Sequence, residues 1–229
     1  MNDSRRRLPA LGTMLATLAA VAAGAAEAPD PALQVRNHAL EIQWAEPDVL
    51  PPPFDKVMLA PIELAFRDVK PLSGPAGYSG GRTEFPVGER EQAELAETFD
   101  HILREELGKS HRVTLVDAPG PGVLVVKPAL RDIVSRVPPE EPAGRTYTFL
   151  DSIGEATLVL EFVDATSGRT LGTAIDRREA NPIGGGASGF GAVRSTDVGV
   201  NQEVRRLARR WGTSLRKRVE QLYFAVKPK

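Results

Sequence analysis

The chain of 229 residues contains no cysteine. That absence removes thiolate nucleophiles, cysteine zinc sites, iron–sulfur clusters and disulfide staples in one step. Histidine is nearly as scarce, and His38, His101 and His111 share no ligand spacing. Aromatic residues make up only 6% of the chain. An excess of one charge is lacking too: 29 basic residues stand against 30 acidic ones, for a formal net of -1. No global field draws such a chain toward nucleic acid or an acidic membrane, so any such role needs a local patch. Beyond the first 26 residues no apolar run approaches the roughly 20 residues of a membrane span.

What is present is an ordinary globular balance, 41% hydrophobic and 26% charged, which disordered chains do not have. A domain of about 200 residues buries roughly 70% of its unfolded surface and needs neither metal nor disulfide to fold.

The N-terminus has the three parts of an export signal. Arg5, Arg6 and Arg7 are followed by small and apolar residues from Leu8 to Ala23, and then by Ala23-Gly24-Ala25 and Gly24-Ala25-Ala26. A signal peptidase reads small residues at those two positions. Ala26-Glu27-Ala28 also has the spacing, but Pro29 would follow that cut. The expected signal peptide is therefore 1–26, cleaved after Ala25 or Ala26, and its loss leaves a net charge of -3. The run is too short for a span and contains Pro9, which weighs against an uncleaved anchor helix.

Residues 27–55 form a proline-rich segment with one short strand, where Leu40, Ile42 and Trp44 alternate with polar neighbours. Residues 56–226 are expected to form a single domain. Lys56 to Phe66 has apolar residues at period two, with Pro61 marking an edge or a bulge. Residues 67–87 have no period and read as a loop. From Glu89, the stripe Leu95, Phe99, Ile102, Leu103 and Leu107 predicts a helix stopped by Gly108. Strands follow at Arg112–Asp117 and at Val123–Val137, the second with Pro128 as its irregularity. Ala156, Leu158, Leu160 and Phe162 predict a strand that turns at Asp164-Ala165-Thr166-Ser167-Gly168 into a hairpin partner at Thr170–Arg178. A glycine-rich loop at 181–191 precedes a long helix from about Asp197, the expected N-cap, to Tyr223. Strands in a run with few intervening helices predict an α+β fold: a mostly antiparallel sheet of about five strands with two main helices packed on it.

Several stretches resemble a bacterial envelope family, the domain of unknown function DUF3313. They are Phe54 to Ile62, Val116 to Leu124 and Glu161 to Gly168, with Asp176-Arg177-Arg178 ahead of the glycine-rich loop and a last helix around Trp211. The resemblance covers roughly residues 40–222. It implies an envelope address and an α+β fold, and it brings no catalytic residue with it. Members usually look like lipoproteins, and this chain lacks the cysteine that such a signal presents.

Three motifs suggest chemistry. Gly77-Tyr78-Ser79-Gly80-Gly81 has the spacing of a nucleophile elbow, but Pro75-Ala76 before it and Arg82 to Pro86 after it are not the strand and helix that hold such a serine exposed. Gly184-Gly185-Gly186-Ala187-Ser188-Gly189 has dinucleotide-binding spacing, but no helix opens at once to present amides to a pyrophosphate. Glu105-Glu106 and Glu140-Glu141 fall in an exposed helix end and a loop. No cofactor or metal is expected.

The last helix holds the best functional hint. On a 100° wheel, Val204, Leu207, Ala208, Trp211 and Leu215 gather on one side. Arg205, Arg206, Arg209, Arg210, Arg216 and Lys217 gather on the other, while Arg218 falls at the apolar margin. From Val204 to Arg218 there is no acidic residue. Such a face is either solvated or docks an anionic partner, an anionic lipid surface or an envelope protein. The expected protein is exported to the periplasm, with the outer membrane as the alternative address, and binds or scaffolds another component without catalysis. The alternative is a periplasmic hydrolase. Nucleic acid is not an expected partner.

Overall fold

A computed structural model of the chain describes residues 40, 42–44, 51–69, 84–138, 149–150, 152–180, 193–194 and 197–226. The elements are β1 (Ile42–Trp44), β2 (Lys56–Leu59), β3 (Glu63–Phe66), α1 (Glu89–Gly108), β4 (Thr114–Val116), β5 (Val123–Ser135), β6 (Phe149–Leu150), β7 (Gly154–Asp164), β8 (Thr170–Glu179), β9 (Val193–Arg194) and α2 (Asp197–Val226). Strands β6 and β9 pair by themselves. The other seven form one sheet in the order β1-β8-β7-β5-β2-β4, with β3 also paired to β5. The α+β class holds, but the sheet is larger than expected and mixed. β1, β8, β7 and β5 are antiparallel, whereas β2 and β3 run parallel to β5, and β4 runs parallel to β2. α1 is the crossover that brings the chain from β3 back parallel into β4, as a hairpin cannot, and residues 117–122 then return it past β2 into β5.

Pro61 splits the expected single strand over 56–66 into β2 and β3, which follow one another along β5. The Ala60 amide donates to the Val126 carbonyl at 2.9 Å, so the even-numbered residues of this part of β5 turn their backbone groups toward β2 and β3. Pro128 therefore presents its missing N–H to the break around Pro61, while its place opposite Leu160 is regular. Two prolines meet where neither strand needs the lost donor. The true irregularity of β5 lies beyond Pro128. Asp132 and Ile133 together oppose Ala156 in a bulge, and Asp132 takes φ +51°, a conformation uncommon outside glycine.

Helix α1 does not stop as expected. Gly108 is its last helical residue, and the chain closes through a right-handed Lys109 whose amide reaches the Glu106 carbonyl at 3.3 Å. At the other end Glu89 and Glu91 sit in the first turn, where the helix dipole favours acid. The β7–β8 turn is as its residues predict. The Asp164 carboxylate accepts from the Thr166 and Ser167 amides at 3.2 and 3.1 Å, and Gly168 takes φ +70°.

Both helices pack on one face of the sheet. Phe99, Ile102, Leu103 and Leu107 of α1 and Leu207, Ala208, Trp211, Leu215 and Val219 of α2 are buried against Val57, Leu59, Leu124, Val126, Leu130, Leu158, Leu160 and Phe162. Each large side chain so buried contributes about 1.5–3 kcal/mol. The Phe99 and Trp211 rings meet at 5.9 Å. No helix among the described residues is long and apolar enough to cross a membrane. Residues 1–26, His38, Ser79, Glu140, Glu141 and Gly184–Gly189 lie outside the described residues.

Candidate functional site

Past the irregularity at Leu171, the odd-numbered residues of β8 and their partners Glu155 and Thr157 on β7 point away from the helices, and at the bulge they meet a charge cluster. Arg67, just past β3, holds Asp132 with both prongs of its guanidinium, Nε to Oδ1 and Nη2 to Oδ2, each at 2.7 Å. Its Nη1 donates to Glu84 at 2.8 Å. Arg177 on β8 donates to Asp132 at 3.0 Å and to Glu155 on β7 at 2.6 Å. The bulge turns Asp132 toward this group, which gives the backbone conformation a purpose. The hydrogen bond from Arg67, and then its charge and that of Arg177, hold the Asp132 carboxyl below the usual range. The same hydrogen bond holds the Arg67 guanidinium above its ordinary value. A general base works best with a proton affinity raised toward the operating pH, and Asp132 is moved the other way. The cluster is built as a clamp of β3, β5, β7 and β8.

The buried carboxylates Asp176 and Glu106 are similarly engaged. Asp176, on the helix side of β8, accepts from Trp211 Nε1 at 2.9 Å and from Arg178 Nε at 2.7 Å. Glu106 is buried rather than exposed, against expectation, because α2 crosses it: Lys109 donates at 2.6 Å and Thr213 Oγ1 at 3.1 Å. Glu105 beside it is exposed, as are His101 and His111. None of the buried acids was legible as part of a group. The available signal was a break in alternation, where Asp176 follows Ala174 at a core-facing position.

The cationic helix face divides in two. Arg205, Arg209 and Lys217 are exposed, while Arg206, Arg210 and Arg216 are half-buried. Arg206 donates to the buried Glu203 at 2.7 Å, and Arg216 lies 3.5 Å from Glu220. The acids that pair with these cations lie one residue before and two residues after the stretch that has none. Arg209 also faces acid from the other helix. Glu105 is held below its ordinary value, first by its hydrogen bond from Lys109 and the charge of Lys109, and further by the charge of Arg209. Arg218, as expected, lies half-buried at the margin and donates to Gln221 at 3.0 Å.

The family model described as "Protein of unknown function (DUF3313)" matches residues 31–207. No curated protein matches the chain. Among solved structures, PelC from Paraburkholderia phytofirmans, described as a dodecamer, is 14% identical and aligns over 71% of this chain and 88% of its own, with a TM-score of 0.36. Protein XCC0632 from Xanthomonas campestris is 11% identical over 83% of this chain and 98% of its own, with a TM-score of 0.45. The hypothetical protein CT253 from Chlamydia trachomatis is 12% identical over 75% and 99%, with a TM-score of 0.36. Likeness at this level says nothing of what the chain binds or does.

Proposed function

This chain belongs to the DUF3313 family of proteins of unknown function, and on that footing we propose that it is an exported envelope protein that binds an anionic partner without catalysis. The observation that carries the reading is the outer side of α2, where Arg205, Arg209 and Lys217 stand exposed. Among the described residues, Asp132, Glu106, Asp176 and Glu203 are spent on structure, each accepting from a guanidinium, an indole, an ammonium or a hydroxyl. The exposed ends of Arg205, Arg209 and Lys217 are what α2 offers a partner. The Arg5–Arg7 start and the small-residue boundary at Ala25 and Ala26 support export to the periplasm.

The test is binding of the exported form to vesicles containing anionic phospholipid. Wild-type protein binds, and binding weakens as salt rises, because screening acts on exposed charges. The triple variant Arg205→Glu, Arg209→Glu, Lys217→Glu keeps its fold, since exposed charges contribute little to stability, and loses the binding. Salt-insensitive binding, or a triple variant that binds like wild type, removes the reading. N-terminal sequencing of the exported form tests the address, with Ala26 or Glu27 expected first.

A further inference from the structure

The outward ridge of α2 runs through Asn201, Arg205, Arg209, Thr213, Lys217 and Gln221, each one helical turn from the next. It holds cations and polar groups, with no acid and no apolar residue. Thr213 is half-buried and the others are exposed. Glu220, in the neighbouring row, is taken by Arg216 at 3.5 Å. At the foot of the ridge Val198 is 79% exposed, two turns before Arg205. The apolar side of α2 is committed elsewhere, because Leu207, Ala208, Trp211, Leu215 and Val219 are buried in the core. The start of α1 has the opposite sign, with Glu89, Glu91, Glu94 and Glu97 exposed against Arg90 alone.

We propose that the anionic partner is a membrane surface, a layer of anionic phospholipid headgroups along which α2 lies; this rests on the reading above. An acidic protein fits less well. Protein interfaces are built round a desolvated apolar or aromatic cluster, and the ridge has none beyond Val198 at its foot. A headgroup layer needs no such cluster, since it presents many phosphates in one plane. Arg205 and Lys217 stand about 18 Å apart along the helix and within about 120° of arc, so one flat surface meets all three exposed cations. Each cation near such a surface is worth about fivefold in partition, which makes the contact reversible. An inserting amphipathic helix puts its apolar side at the acyl boundary. α2 cannot do so without leaving the core, and therefore stays at headgroup level. The acids of α1 set the orientation. A helix layer laid flat would press them onto like charge, so the molecule rests on its α2 side alone.

The cysteine-free chain allows single labels to test this. The exported form carries an environment-sensitive fluorophore at Gln202→Cys, an exposed site one turn before Arg205. A second form carries it at Lys127→Cys, which alternation turns to the sheet face opposite the core residue Val126. With vesicles of phosphatidylcholine and phosphatidylglycerol in equal parts, the label at position 202 brightens and the label at 127 does not. Phosphatidylcholine alone gives no response. In a Trp44→Phe background, brominated acyl chains leave the emission of Trp211 unquenched. Lys217→Ala lowers partition about fivefold. Salt-sensitive vesicle binding with a response at 127, with quenching of Trp211, or with Lys217→Ala partitioning like wild type overturns this inference and leaves the anionic-partner reading intact. Salt-sensitive binding to polyglutamate but not to vesicles does the same. Binding to neither removes both.

Discussion

The guanidinium of Arg104 on α1 donates to the carbonyl oxygen of Leu59 at 2.9 Å, at the point where β2 ends. A side chain from the helix layer thereby satisfies a backbone acceptor at a strand end. The same guanidinium holds Asp100 at 2.8 Å and lies 3.5 Å from Asp117. Asp100 has little to spare, since its Oδ1 is buried without a partner. Arg104→Ala leaves the Leu59 carbonyl and a half-buried carboxylate unmatched, and should destabilise the protein by about 1–3 kcal/mol. Urea denaturation measures it, and a loss within error of zero would show that water replaces the guanidinium.

Gly212 lets α2 lie close against Glu106 of α1. A Cβ built there would lie 2.8 Å from Glu106 Cγ and 2.9 Å from its Cβ. In an open helix Gly→Ala gains up to about 1 kcal/mol. Here the clash decides the sign, because Glu106 is held in place by Lys109 and Thr213. Gly212→Ala should cost about 1–3 kcal/mol through overpacking, and Glu106→Ala in the same chain should recover part of that loss. Thermal melts of the two single variants and the double variant test this.

Local elements were legible because their signals are local. The stripe from Leu95 to Leu107 gives α1, Ala156 to Phe162 gives the middle of β7, and Asp164 to Gly168 gives its turn. Pairing across the sheet was not, because period two says which face a residue takes and nothing of which strand lies beside it. Pro61 announces a fault, but only the facing Pro128 shows that the fault is shared between neighbours. Asp132 interrupts an apolar run without announcing a bulge. The division of the α2 cations was hidden likewise: the wheel places Arg206 and Arg216 correctly in angle, and Glu203 and Glu220 claim them from just outside the stretch.

Trp211 and Asp176 join α2 to β8 inside the core. The indole Nε1 donates to a carboxylate that is only 4% exposed, and a buried acceptor that loses its donor is costly. Trp211→Phe keeps most of the ring and removes the N–H, so it should destabilise by about 2–4 kcal/mol, hydrogen bond and lost volume together. Asp176→Asn alone should cost less, since its amide oxygen still accepts. A double-mutant cycle should return a coupling of about 1 kcal/mol or more between the two positions, and additive losses would refute the link.

The clamp at the bulge sets how the protein meets acid. The Asp132 carboxyl is held below its ordinary value, first by the hydrogen bond from Arg67, then by the charges of Arg67 and Arg177. A carboxyl whose folded value is depressed contributes stability that is fully present above its unfolded value, near pH 4. That contribution is lost as pH falls through the lower, folded value. Protonating Asp132 leaves Arg67 with Glu84 and a distant Glu155, and leaves Arg177 with Glu155. Asp132→Asn should therefore lower stability by about 1–2 kcal/mol at pH 7, discounted because the side chain is 32% exposed. Its gap from wild type should close as pH falls below about 4. Arg67→Gln should behave the same way, since it removes the partner rather than the proton site. Urea unfolding at a series of pH values reads both, and a gap that persists unchanged at pH 2 would show that the charge of Asp132 is not what the fold requires.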